Sequence, residues 1–104
     1  VGHIGLSLRP WGVADLGMLV AAGWRGQGVG AALMRSGLDW AREAGAHKIA
    51  LQVWPHNEAA LALYRKFGFV EEGRLRRHYR RRDGELWDAV LMGLLLDEPA
   101  LRGV

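Results

Sequence analysis

Apolar and polar positions alternate with a period of two over residues 13–20, where Leu16, Met18 and Val20 interleave with Asp15, Gly17 and Leu19. That alternation predicts a strand, preceded by a second strand over 3–9 and the Pro10–Gly12 turn. From Val29 the period becomes helical. Val29, Leu33, Gly37, Trp40 and Ala44 share one stripe, Arg35, Asp39, Arg42 and Glu43 lie off it, and Gly45 supplies a stop. Period two returns over 47–54, where Ile49, Leu51 and Val53 alternate with Lys48 and Gln52. A strand there closes a strand–helix–strand unit, with the new strand parallel to 13–20. Pro55 breaks it, and Asn57 can cap a second helix that carries Ala60, Leu61 and Tyr64 on one side and runs to Phe67, with Gly68 as its stop. Residues 69–82 and 85–96 read as antiparallel strands around Asp83-Gly84, a dipeptide suited to the positive φ values of a tight hairpin turn. The order ββαβαββ predicts one α/β domain over residues 1–104, built on a central, twisted, mixed sheet.

Composition narrows the chemistry. The 104 residues include no cysteine, which removes disulfides, thiolate metal sites and a cysteine nucleophile. The four histidines, at 3, 47, 56 and 78, form no i,i+4 pair and sit beside no carboxylate cluster, so no metal site is expected. The longest apolar run, 89–96, is too short to cross a bilayer. The first residues do not carry a charged and then apolar leader, and a cytoplasmic protein is the expectation. Fourteen Lys and Arg against eleven Asp and Glu give a formal charge of +3, but six of the arginines fall within 74–82, and the rest of the chain is net acidic. The basic character is therefore one local patch. It can be a solvated strand face, an anion site or a nucleic-acid contact, and no zinc finger, helix-turn-helix or RNP aromatic motif accompanies it.

The densest chemical signal is Arg25-Gly26-Gln27-Gly28-Val29-Gly30. A strand feeding a glycine-rich loop at a helix start aims free N–H groups and the positive helix end at one point, and the missing Cβ atoms let a pyrophosphate approach. Two anionic ligands compete for such a site. The string 26–31 fits the dinucleotide fingerprint G-x-G-x-x-A, but that reading expects an acidic residue near the end of the next strand, and 47–56 contains none.

Coenzyme A fits more of the chain. Arg-x-x-Gly-x-Gly at 25–30, taken with Asn57 and the segment ALYRKFGF at 62–69, resembles the GCN5-related N-acetyltransferase superfamily, over roughly residues 3–96. The stretch from Gly68 to Leu94 looks most like the bacterial branch that acetylates amino acids, polyamines or protein N-termini. The resemblance implies acetyl-CoA as co-substrate and a primary amine as acceptor. It implies that Gly26 to Ala31 wrap the pyrophosphate, chiefly through the N–H groups of Gln27, Gly28, Val29 and Gly30, with Arg25 adding charge. Met18, Leu19 and Val20 would hydrogen-bond the pantetheine amides as an added strand, Asn57 would reach the same arm, and Tyr64 would lie near the sulfur. A backbone N–H of Leu19 or Val20 would stabilise the oxyanion, and the Tyr64 phenol would protonate the leaving thiolate.

The base is where the sequence departs from its relatives. Many protein-acetylating members carry glutamate on the strand five residues before the motif asparagine, whereas here Gln52 stands there. Asp15 is the candidate base on the preceding strand, and His56 is a second. Without the glutamate, acceptors of lower pKa are favoured, which points to α-amines. The resemblance implies a further N-terminal portion of about 50 residues that forms one acceptor wall, so a chain opening on the strand at 3–9 is expected to be a fragment, a divergent minimal form or a subunit whose partner covers the open side. The resulting open edge and apolar flank lead to the expectation of a homodimer. Two other function classes stand beside the enzyme: a module that binds acetyl-CoA without turnover, and a nucleic-acid-binding protein acting through 74–82.

Overall fold

Gly12 takes up φ +85°, a left-handed conformation, and so turns the chain back on itself. Its N–H donates to the Arg9 carbonyl at 3.0 Å, and Arg9 N–H donates to the Val13 carbonyl at 2.8 Å. The strands on either side, β1 (Gly2–Leu8) and β2 (Val13–Val20), therefore pair antiparallel in unbroken register from Gly2 with Val20 to Leu8 with Ala14. The computed structural model describes residues 2–20 and 28–96. Its remaining elements are α1 (Val29–Glu43), β3 (Lys48–Val53), α2 (Glu58–Lys66), β4 (Val70–Arg80) and β5 (Leu86–Leu95). The strands form one mixed sheet in the order β1-β2-β3-β5-β4. Val13, Ala14 and Asp15 pair in parallel with Lys48, Ile49 and Ala50, the pairing that a crossover through α1 brings about.

The chain divides into two units. Of the described residues, the first takes in those up to Ala50 together with 95–96, and the second is Leu51–Leu94. In the first unit α1 packs on β1 and β2. Its buried residues are Met34, Gly37, Leu38 and Ala41, spaced i, i+3, i+4, i+7, together with Ala14, Leu16, Ala46 and Ile49. This corrects the expected stripe, because Trp40 is 43% exposed and only Gly37 of the predicted set is buried. The true stripe is rotated by about one residue. α1 ends at Gly45, whose φ is +86°, with Ala46 N–H donating to the Ala41 carbonyl at 3.0 Å and Gly45 N–H to Arg42 at 3.1 Å, the two bonds of a Schellman closure.

In the second unit α2 begins at Asn57, whose Oδ1 accepts from Ala60 N–H at 3.2 Å. The buried residues are Leu51 and Val53 of β3, Tyr64, Phe69, and Ala89, Val90 and Met92 of β5. The hairpin between β4 and β5 is longer than the predicted two-residue turn. Only Gly84 takes positive φ, at 90°, while Arg81 accepts from Gly84 N–H at 2.9 Å and donates to the Glu85 carbonyl at 2.8 Å. Residues 82–84 thus form a three-residue connection whose last member is left-handed, a turn that keeps the twist of the strands with one glycine.

Candidate functional site

The strand register leaves a backbone edge open. Among the described residues β2 pairs with β3 only as far as Asp15, and its continuation to Val20 pairs only with β1. The N–H and C=O groups of Met18, Leu19 and Val20 that point away from β1 are therefore available to an extended ligand. Arg25, Gly26 and Gln27 lie outside the described residues. Gly28 is described: it caps α1 with φ 81°, no side chain caps the helix, and no acidic residue lies in its first turn. The N–H groups of Val29, Gly30 and Ala31 have no carbonyl one turn back within the helix, and no acidic side chain of the first turn neutralises the positive end of the helix. A Cβ built on Gly28 meets nothing within 4 Å, so glycine is favoured there by φ and not by packing. Ala32 N–H donates to the Gly28 carbonyl at 3.0 Å and starts the helical ladder.

Asp15, the candidate base, spends its carboxylate on Arg9, with Nε to Oδ2 at 2.6 Å and both side chains about half exposed. Accepting a proton there competes with that ion pair.

The segment YRKFGF positions its tyrosine by the geometry of a helix end. Gly68 takes φ 98°, Phe69 N–H donates to the Tyr64 carbonyl at 3.0 Å, and Gly68 N–H donates to Arg65 at 3.0 Å. This closure folds Phe69 back on Tyr64, with ring centroids 5.7 Å apart. Tyr64 is 6% exposed, and burial raises its phenol above the ordinary value near 10. The hydroxyl is therefore neutral across the physiological range and retains its proton for donation, but it is a weaker acid than a solvated phenol. Asn57 is exposed, and its cap uses only the amide oxygen, so the NH2 group is not consumed.

Gln52 is not isolated. Its Oε1 accepts a hydrogen bond from the Tyr79 hydroxyl. Tyr79 stands edge-on to Trp54 at 5.3 Å between centroids, Trp54 is edge-on to Trp87 at 5.0 Å, and His56 is edge-on to Trp87 at 4.7 Å. The Arg81 guanidinium carbon lies 4.4 Å from the Trp87 ring centroid and 5.1 Å from that of Trp54. The sequence reading missed this cluster. Its signal was nonetheless present. Tyr79 pairs with Trp87 across the hairpin, and Arg81 faces Glu85 at the turn, so period two puts all four on one face. The Glu85 carboxylate accepts from Trp87 Nε1 at 3.3 Å.

The arginine run divides by local geometry. Between Leu75 with Ala89 and Tyr79 with Trp87, β4 places Arg76, Arg77 and His78 opposite Asp88 alone. Arg77 takes φ 50°, and its N–H donates to Asp88 Oδ1 at 2.7 Å while Arg74 Nε donates to Oδ2 at 2.7 Å. Those two hydrogen bonds, the backbone one first, hold the Asp88 carboxyl below its usual range. Within the patch Arg74 is thus paired with Asp88, and Arg81 lies over two indole rings. Among the described residues no three His, Asp or Glu side chains gather, and no helix is long and apolar enough to cross a membrane.

Comparison with known proteins gives a consistent picture. Residues 1–69 match the sequence profile described as the Acetyltransferase (GNAT) family. The chain is 36% identical over 100 residues to the L-amino acid N-acetyltransferase AaaT of Escherichia coli K12, covering 88% of this chain and 59% of that protein. It is 36% identical over 77 residues to N-alpha-acetyltransferase 30 of Schizosaccharomyces pombe, covering 74% of this chain and 49% of the relative. The crystal structure of the ribosomal-protein-alanine N-acetyltransferase from Brucella melitensis superposes with a TM-score of 0.86 at 30% identity, over 92% of this chain and 62% of that one. The chain therefore spans about half to three-fifths of the length of these relatives.

Proposed function

The chain belongs to the Acetyltransferase (GNAT) family, and from that membership we propose that it transfers the acetyl group of acetyl-CoA to a primary amine, with an α-amine as acceptor. The observation that carries the proposal lies in the first unit: the edge of β2 is open beyond Asp15, and it leads through 21–27 to an uncapped, acid-free helix start at Gly28. These two features suit the two ends of the same ligand. An amide-bearing pantetheine arm needs strand-like partners, and a pyrophosphate needs converging N–H groups.

In this reading Met18, Leu19 and Val20 bind the arm, and Arg25 to Ala31 hold the pyrophosphate. Asn57 contributes the amide NH2 that its cap leaves over. Acetyl-CoA supplies an activated acyl group when bound. A neutral amine forms the new N–C bond as the C–S bond breaks, and the N–H of Leu19 or Val20 stabilises the negative charge that develops on the carbonyl oxygen. The amine's proton leaves to Asp15, His56 or water, and the departing thiolate takes a hydrogen bond or proton from Tyr64. Because burial raises the Tyr64 phenol, hydrogen-bond donation carries more of that stabilisation than complete proton transfer does.

The α-amine preference rests on Gln52. An amide accepts no proton usefully, and a terminal α-amine with pKa about 8 is partly neutral at neutral pH where an ε-amine near 10.4 is not. The S. pombe relative is named for N-alpha acetylation, which agrees with this preference. Leu8 and Trp11, 44% and 68% exposed beside the edge strand β1, support self-association of the 104-residue chain as a two-fold dimer, which sedimentation at micromolar concentration measures.

The test of the reaction is release of free thiol from acetyl-CoA, followed with and without amines. Release that depends on an added α-amine is expected. Binding of acetyl-CoA with no acceptor-dependent release would leave a cofactor-binding module instead.

A further inference from the structure

Arg81 differs from the other arginines whose side-chain partners are described. Arg9 and Arg74 spend their guanidinium groups on Asp15 and Asp88, whereas the partners of Arg81 among the described residues are two indole faces. Trp54 and Trp87 meet at 85°, so they form a corner, and the guanidinium lies over both rings. Contact with two ring faces holds the cation in place without spending its N–H donors on a carboxylate, and a guanidinium fork is the donor pattern that fits a carboxylate in bidentate fashion.

The surroundings suit a small ligand that carries that carboxylate. Trp54, Trp87 and Tyr79 are half-buried and His56 is exposed, so the corner has apolar walls. Its carboxylate, on Glu85, accepts from the Trp87 indole N–H, which leaves Arg81 as the cation of the corner. Gln52 is joined to the same cluster through Tyr79. It occupies the position where protein-acetylating relatives carry glutamate, which links the corner to the place where an acceptor amine is handled.

We propose that Arg81, set over Trp54 and Trp87, is the carboxylate anchor of an acceptor subsite for free L-α-amino acids. This rests on the acetyltransferase reading above and deepens it. A free amino acid carries both the amine that is acetylated and, two bonds away, the anion that Arg81 recognises. A protein N-terminus has an amide in place of that carboxylate, and a polyamine has a second cation, which Arg81 repels.

The experiment compares L-leucine, L-leucinamide, a leucine-initiated peptide and spermidine as acceptors with the full chain, by thiol release from acetyl-CoA. It is repeated for Arg81→Gln, Arg81→Lys and, as a control in the same turn, Arg82→Gln. Because the amine of leucine is more basic than that of leucinamide, the comparison is made per neutral amine, from the pH dependence of each acceptor, and leucine is expected to exceed leucinamide at least about tenfold in kcat/KM on that basis. Arg81→Gln should erase that ratio, Arg81→Lys should restore it only in part because an ammonium lacks the planar fork, and Arg82→Gln should keep it. Acetyl-CoA affinity should be unchanged in all three. Equal turnover of leucine and leucinamide, or a ratio that survives Arg81→Gln, overturns the anchor and leaves the acetyltransferase reading intact. Absence of thiol release with every acceptor overturns that reading instead. Calorimetric titration of leucine and leucinamide then decides the anchor alone: leucine binding that is lost in Arg81→Gln sustains it, and no difference between the two ligands rejects it.

Discussion

The Tyr79 hydroxyl donates a hydrogen bond to the side-chain carbonyl of Gln52. An amide held in this way presents its NH2 group outward, so position 52 offers donors where a base would offer an acceptor. Gln52→Glu keeps an acceptor for Tyr79 and adds a carboxylate that can take a proton. We expect the variant to raise turnover of spermidine at pH 7.5 by about tenfold or more and that of a terminal α-amine by less, because the higher-pKa amine has more need of a base. An equal response of the two acceptors would contradict the assignment.

Gly28 needs a left-handed backbone and carries the uncapped start of α1. Asparagine tolerates that conformation better than valine does, and the space around a Cβ there is empty within the fold. Gly28→Asn should therefore fold with little loss, while Gly28→Val should lose about 2 kcal/mol of CoA affinity, roughly 30-fold, as well as some thermal stability. Calorimetry with CoA beside a melting curve separates the two effects. Unchanged affinity in a folded valine variant removes the phosphate-loop assignment.

Tyr64→Phe removes the phenol and keeps the ring that packs on Phe69. Turnover should fall about 10²- to 10⁴-fold with CoA affinity within a few fold, and a fully active variant would exclude the role. The pH dependence follows from burial. The folded phenol titrates above its unfolded value near 10, so the folded protein holds its proton longer than the unfolded chain. Its contribution to stability is complete below about pH 10 and is lost as pH rises from there through the raised value. The wild type should show this alkaline loss, measured by denaturant unfolding between pH 8 and 11, and Tyr64→Phe should lack that component.

Asp88 holds the irregular stretch of β4 by its two hydrogen bonds. A carboxyl lowered in the folded state supports the fold above its unfolded value near 3.8 and ceases to do so as pH falls through the lower folded value. Asp88→Ala should raise the exchange rate of the Arg77 amide at least about tenfold at neutral pH while leaving the amides of β5 nearer their native rates. Native-state hydrogen exchange reads this directly, and an unaltered Arg77 amide would show that the backbone holds the bend unaided.

Local signals in the sequence were legible where one residue dictates the geometry. Gly45 and Gly68 end their helices, Asn57 caps α2, and Ile49, Leu51 and Val53 bury alternately. The open edge of β2 was implied by the family resemblance. The buried face of α1 was misread because Trp40 has the largest apolar side chain on the helix, yet Met34, Leu38 and Ala41 give a tighter stripe against the strands. What pattern could not give depends on residues distant in sequence. The bend at Arg77 is set by Asp88, eleven positions on, and Arg81 looks like any charge in a basic run until Trp54 and Trp87 meet beneath it.

The central claim is that β2 and the start of α1 form a site for acetyl-CoA. Calorimetric titration of the 104-residue chain with acetyl-CoA, CoA, NADH and a short oligonucleotide, run in parallel at two salt concentrations, tests it most directly. The account predicts saturable one-to-one binding of acetyl-CoA and CoA, weakened roughly 30-fold by Gly28→Val, with none for NADH. Binding of NADH or of the oligonucleotide, steeply weakened by salt in the latter case, together with indifference to both CoA species would contradict it.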